Sequence, residues 1–129
     1  MLNLDYTVTT PKDFETAAAD LEKALAEEKF GVLWKLDMKE KLAEKGVNLD
    51  RQFKIMEVCN PHKAKMALES NIKVGYFLPC KVVVYVEDGQ TRMGTVRPSQ
   101  MMGMIGGGMP EGLADEVDQI LVRALEKAR

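Results

Sequence analysis

The chain has little of what usually announces chemistry. It holds one histidine, two cysteines and one tryptophan among 129 residues, and only 6% of it is aromatic. No surplus of positive charge exists: 18 basic residues stand against 20 acidic ones, for a net charge of −2. That balance excludes broad binding to nucleic acid or anionic membranes, which relies on Lys and Arg neutralising phosphates. No apolar run approaches the roughly 20 residues of a membrane span. The start, Met1-Leu2-Asn3-Leu4-Asp5, shows no basic region leading into an apolar one, so a secretory leader is not expected. Neither a Gly-x-Ser-x-Gly nucleophile motif nor a Gly-x-x-x-x-Gly-Lys phosphate loop occurs. Cys59 with His62 offers a nucleophile and a base, but residues at that spacing across a turn need not face each other, and the reading points away from an enzyme. Two cysteines without a leader fit a reducing cytoplasm.

What remains is ordinary globular material. A hydrophobic share of 46% beside 29% charged residues suits one compact domain over residues 1–129. Leu2, Leu4, Tyr6 and Val8 alternate with polar residues and predict a half-buried strand. Thr10 then caps a helix with Pro11 at its first position, and Phe14, Ala17, Ala18, Leu21 and Leu25 form the apolar stripe. Gly31 marks the stop. Val32, Trp34, Leu36 and Met38 share one side of a second strand, and Asp37 with Glu40 has the form of a capping box.

Phe53, Ile55 and Cys59 fall on one face of a third strand. Asn60-Pro61 opens a helix whose Ala64, Ala67 and Leu68 form a narrow face suited to close packing. A loop with several apolar residues covers 71–79, and an unbroken β-branched run, Val82-Val83-Val84, predicts a central fourth strand. Asp88-Gly89 predicts a type I′ hairpin into a fifth strand near Gln90–Val96. Residues 99–112 carry four methionines (Met101, Met102, Met104, Met109) among glycines and should hold no regular element. A last helix presents Leu113, Val117, Ile120, Leu121, Ala124 and Leu125. The pattern predicts an α+β fold with a mainly antiparallel sheet covered by helices.

Several of these pieces together are specific. Tyr6-Thr7-Val8-Thr9-Thr10, Phe30-Gly31-Val32-Leu33, Cys59-Asn60-Pro61, and Leu78-Pro79-Cys80 running into Val82-Val83-Val84-Tyr85 resemble the domain of unknown function 302 family. The resemblance runs from Leu4 to about Ala128. It implies a fold like that of the TATA-binding protein, β-α-β(4)-α with additional short helices, and a homodimer. It implies no activity. Two positions depart from the family pattern: His62 is not part of it, and Lys81 stands where Asn commonly follows the second cysteine.

Chemistry concentrates between Phe53 and Val86. Cys59 should end a strand just before a helix N-terminus, whose partial positive charge favours a thiolate and lowers its pKa. Cys80 begins the next strand, so Cys59, Asn60 and Cys80 are the expected ligand-binding residues. Cys59, His62 and Cys80 form a three-ligand metal set. Zinc, copper and haem are the cofactors considered, because thiols and thioethers suit soft and borderline metals. The segment Met101–Met109 is read as an adaptable apolar flap or dimer contact, and as a flap it would close the pocket bordered by Cys59, Asn60 and Cys80. Three functions follow: a dimeric binding protein with a thiol-bordered pocket for a small apolar ligand, soft metal or haem; a thiol-dependent sulfur carrier or cysteine enzyme; or a protein-interaction module whose cysteines are core.

Overall fold

The computed structural model describes residues 4–104, 110 and 112–129. Leu2 and the triple glycine 106–108, with Met109, therefore lie outside the described residues. The chain runs β1 (Asp5–Thr10), α1 (Phe14–Glu27), β2 (Gly31–Asp37), α2 (Met38–Glu44), β3 (Phe53–Cys59) and α3 (Pro61–Ser70). A 3₁₀ helix (Ile72–Phe77), β4 (Cys80–Glu87), β5 (Gln90–Val96), α4 (Pro98–Met102) and α5 (Leu113–Ala128) complete it. The five strands form one antiparallel sheet in the order β1-β5-β4-β3-β2. The α+β class is as expected, and β4 with its valine run is the middle strand.

One face of the sheet meets α1 and α5, which also pack on each other. Val8, Met56, Val58, Val82, Val84 and Met93 point into that layer and meet Leu21, Leu25, Leu121 and Leu125 from the helices. The core-facing pair in β3 is thus Met56 and Val58, while Phe53 and Ile55 lie half-buried on the other face. There the Phe53 ring stacks on Tyr85, 5.5 Å between centroids. The hairpin turn is as the sequence implies, with Asp88 and Gly89 both at positive φ (52° and 75°).

Local departures have local causes. The cap of α1 is Asp13, whose carboxylate accepts from the Thr16 N–H at 2.8 Å; Thr10 instead accepts from the Lys12 N–H at 3.3 Å, closing a small turn before the helix. The helix ends at Glu27, and the chain turns away at Lys29 rather than at Gly31, because Lys29 takes the left-handed conformation (φ 68°) and lets Phe30 turn inward. In β2 a bulge between Val32 and Trp34 inserts Leu33 as an extra residue. The alternation slips there, so Trp34 is 49% exposed and does not share the inner side with Val32. Asp37 caps α2 as expected, accepting from the Glu40 N–H at 3.0 Å.

Two stretches expected to lack regular structure contain short helices. Residues 72–77 coil as the 3₁₀ helix because Val74 is buried beneath it, and Asn71 starts the turn by accepting from the Lys73 N–H at 3.1 Å. Residues 98–102 form α4, where Pro98 at the helix start has no N–H to leave unpaired. Among the described residues, no helix is long and apolar enough to cross a membrane.

Candidate functional site

At one end of the sheet β3 runs out and β4 begins, with Val58 paired opposite Cys80. Cys59 is the last residue of β3. Asn60 follows and caps α3, its side-chain oxygen accepting from the Lys63 N–H at 3.1 Å. Leu78-Pro79, joined by a cis peptide bond, leads into Cys80. The sequence thus delivers the two thiols to neighbouring strand ends, as its reading required.

They border a cavity of about 40 Å³. Its floor is Val58, Cys59, Asn60 and Cys80; α3 contributes Lys63, Ala64 and Ala67; Phe30, Val74, Phe77 and Leu78 close one side. The remaining wall is Pro98, Met101 and Met102 of α4 with Leu113, Ala114 and Val117 of α5. Among the described residues, Lys63 is the one lining residue with a charged side chain, and it pairs with Glu116 of α5. Cavities need roughly 10–15 Å³ to hold one water, so this one takes a few small atoms. It is far below the roughly 300–1,000 Å³ of a pocket for a larger organic ligand or cofactor.

A buried carboxylate secures the α4 wall. Asp118 is only 4% exposed, although it sits in the middle of the apolar face of α5. It accepts from the Ser99 N–H at 3.1 Å, from the Arg97 Nε–H at 3.2 Å, and from the Ser99 hydroxyl. These bonds tie the first turn of α4 onto α5. The α5 periodicity marks its neighbours as core but gives no sign of Asp118's partners, which lie 19 and 21 residues away.

The electrostatics of the thiols run against the expected activation. Burial pushes the Cys59 thiol up. Burial, aided by the nearby Cys59 and Asp118, pushes the Cys80 thiol up to about 11. The helix start offers little to counter this. Pro61 has no N–H, and the Asn60 side chain already takes the Lys63 N–H. Both cysteines are free thiols.

The three-ligand metal set does not assemble. His62, in the first turn of α3, is exposed and does not line the cavity. Among the described residues, no three His, Cys, Asp or Glu side chains gather closely enough to hold a metal ion. Zinc loses its third ligand for this reason. Met101 and Met102 line the same cavity as the thiols, as expected of the segment that was to close it. The rest of that flap, from residue 105 to Met109, lies outside the described residues.

The family model described as "Domain of unknown function DUF302" matches residues 6–128. Among solved structures, one described as "Crystal structure of uncharacterized conserved protein DUF302 from Bacillus stearothermophilus" is similar over its whole length. It shares 38% sequence identity at a TM-score of 0.92, covering 99% of this chain and 100% of that one. No curated protein matches the chain.

Proposed function

Since the chain belongs to the DUF302 family, whose description assigns no activity, we propose a function from the site itself: a binding protein that takes a small, apolar or soft guest into the cavity between Cys59, Asn60 and Cys80. The supporting observation is the cavity's lining, which among the described residues is apolar but for a helix cap, two thiols and one paired lysine. Its volume restricts the guest to a few heavy atoms and does not accommodate haem. Thiols held protonated by burial suit a lining role better than a nucleophilic one. The sulfur-carrier and cysteine-enzyme readings need a thiolate near neutral pH and are therefore secondary.

We propose further that the protein acts in the cytoplasm as a homodimer, joined through the sheet face on which Phe53 pairs with Tyr85 and Ile55 with Val83. Without its short helices the element order reads β-α-β(4)-α, which supports the finer likeness to the TATA-binding protein. That likeness brings no nucleic-acid function, since functions belong to sites rather than folds.

Xenon under pressure tests the cavity directly, because a dry apolar void binds it. Saturable xenon NMR shifts in the native protein, abolished by Ala64→Leu, are expected. Absence of saturable binding, with no thermal shift from a panel of small apolar molecules, overturns the reading in favour of an interaction module. Sedimentation equilibrium tests the dimer, which Val83→Lys should dissociate.

A further inference from the structure

We propose that the guest is a single soft monovalent metal ion, Cu(I) or Ag(I), held by the sulfurs of Cys59 and Cys80 with thioether support from Met101 or Met102. The inference rests on the cavity reading above and narrows it to one ligand class.

Ligand chemistry carries it. Thiols and thioethers are the donors that select soft metals, whereas imidazole and carboxylate suit borderline and hard ones. The fold brings four sulfur-bearing side chains, two cysteines and two methionines, to one small cavity. It leaves His62, the one histidine of the chain, outside in solvent. Among the described residues, no cluster of the harder donors competes anywhere on the molecule. The lining thus discriminates by both inclusion and exclusion.

Space and surroundings agree with the donors. A volume of about 40 Å³ admits a bare ion with sulfur ligands but no hydration shell. Soft monovalent ions tolerate that loss better than Mg²⁺, which dehydrates reluctantly. Cys59 and Cys80 line the same cavity, and Cys80 pairs across the sheet with Val58, the residue before Cys59.

The binding step balances without electron transfer: two thiols and one M⁺ give an S–M–S unit of charge −1 and release two protons. Affinity must therefore rise with pH, by up to about a hundredfold per pH unit while both thiols remain protonated in the free protein. The Asp118 clamp holds the methionine wall in place, since it fixes the first turn of α4, which carries Met101 and Met102.

The test is an anaerobic titration of the full chain with Cu(I) in competition with bicinchoninate, repeated with Ag(I) alone. One equivalent should bind, with release of two protons measured by pH-stat. Cys80→Ser should reduce affinity at least a hundredfold. Met101→Leu/Met102→Leu, close in volume to the native pair, should lower it about tenfold while leaving thermal unfolding nearly unchanged. Binding that survives Cys59→Ser/Cys80→Ser overturns the proposal, as does failure of the chain to take Cu(I) from bicinchoninate at pH 8. Xenon uptake with no Cu(I) binding sinks the metal while leaving the cavity reading intact; failure of both sinks the two together.

Discussion

Replacing Asp118 by Ala removes the acceptor for three donors at once: the Ser99 N–H, the Ser99 hydroxyl and the Arg97 Nε–H. Breaking a fully buried pair by deleting one partner costs about 3–5 kcal/mol, because the other charge is stranded. Arg97 is not fully stranded, since its side chain is 31% exposed and can take up water. The Ser99 amide and hydroxyl lose a charged acceptor, and hydrogen bonds to charged groups contribute about 1.5–3 kcal/mol. Weighing these, Asp118→Ala should cost about 3 kcal/mol. For a chain of this size that lowers the melting temperature by roughly 10 °C. Urea unfolding followed by circular dichroism measures the first quantity, and calorimetry the second. Asp118→Asn retains the shape and one acceptor and should lose about half as much. Hydrogen exchange locates the damage: the Ser99 amide should lose protection before the amides of β4 do. A loss below about 1 kcal/mol, or unaltered exchange at Ser99, would refute the claim that this carboxylate pins α4 to α5.

Two further outcomes are expected. Gly94→Ala places a methyl carbon 2.7 Å from the Thr7 hydroxyl and 3.1 Å from the Tyr6 carbonyl oxygen, forcing β1 off β5. A loss of about 1–3 kcal/mol should follow, partly restored by Thr7→Ala, as a double-mutant cycle in urea would reveal. Cys80, with its pKa raised from 9.0 to about 11, should carry about a hundredfold less thiolate at pH 8 than an ordinary cysteine and be alkylated that much more slowly until the protein unfolds. The folded state binds this proton more tightly than the unfolded one. Its contribution to stability is therefore complete below pH 9.0 and is lost as the pH climbs to about 11. Cys80→Ala should flatten that part of the stability curve.

Much of the architecture was legible because local patterns and tertiary packing agree. The valines of β4, the Asp88-Gly89 turn and the Asn60-Pro61 helix start each carry a short-range mark, and all three appear where those marks put them. Legibility failed where one residue shifts a register. Nothing in Val32-Leu33-Trp34 announces a bulge, so Trp34 was assigned to the inner side. Lys29 takes the left-handed conformation two residues before Gly31, a position where composition offers no warning.

The site divides similarly. Adjacent strand ends could be foreseen for Cys59 and Cys80 once the third and fourth strands were paired. The Met101–Met109 segment was expected to close this pocket, but the helix that brings Met101 and Met102 there was not, because α4 depends on a carboxylate one helix away. His62 shows the opposite error. A Cys-x-x-His spacing invites ligation on paper, but it spans a strand-to-helix corner that turns the imidazole outward.

The irregularity at Leu33 bears on how copies of this chain avoid one another. Among the described residues, β2 and β1 are the outermost strands, and each leaves one row of backbone donors and acceptors without a neighbour in the sheet. A straight border of that kind is a template on which a foreign strand can grow a continuous ribbon. The extra residue kinks the β2 border and breaks its repeat, so an incoming strand finds matching partners over only part of its length. Deleting Leu33 would straighten that border, and the same chain would become prone to open-ended polymers.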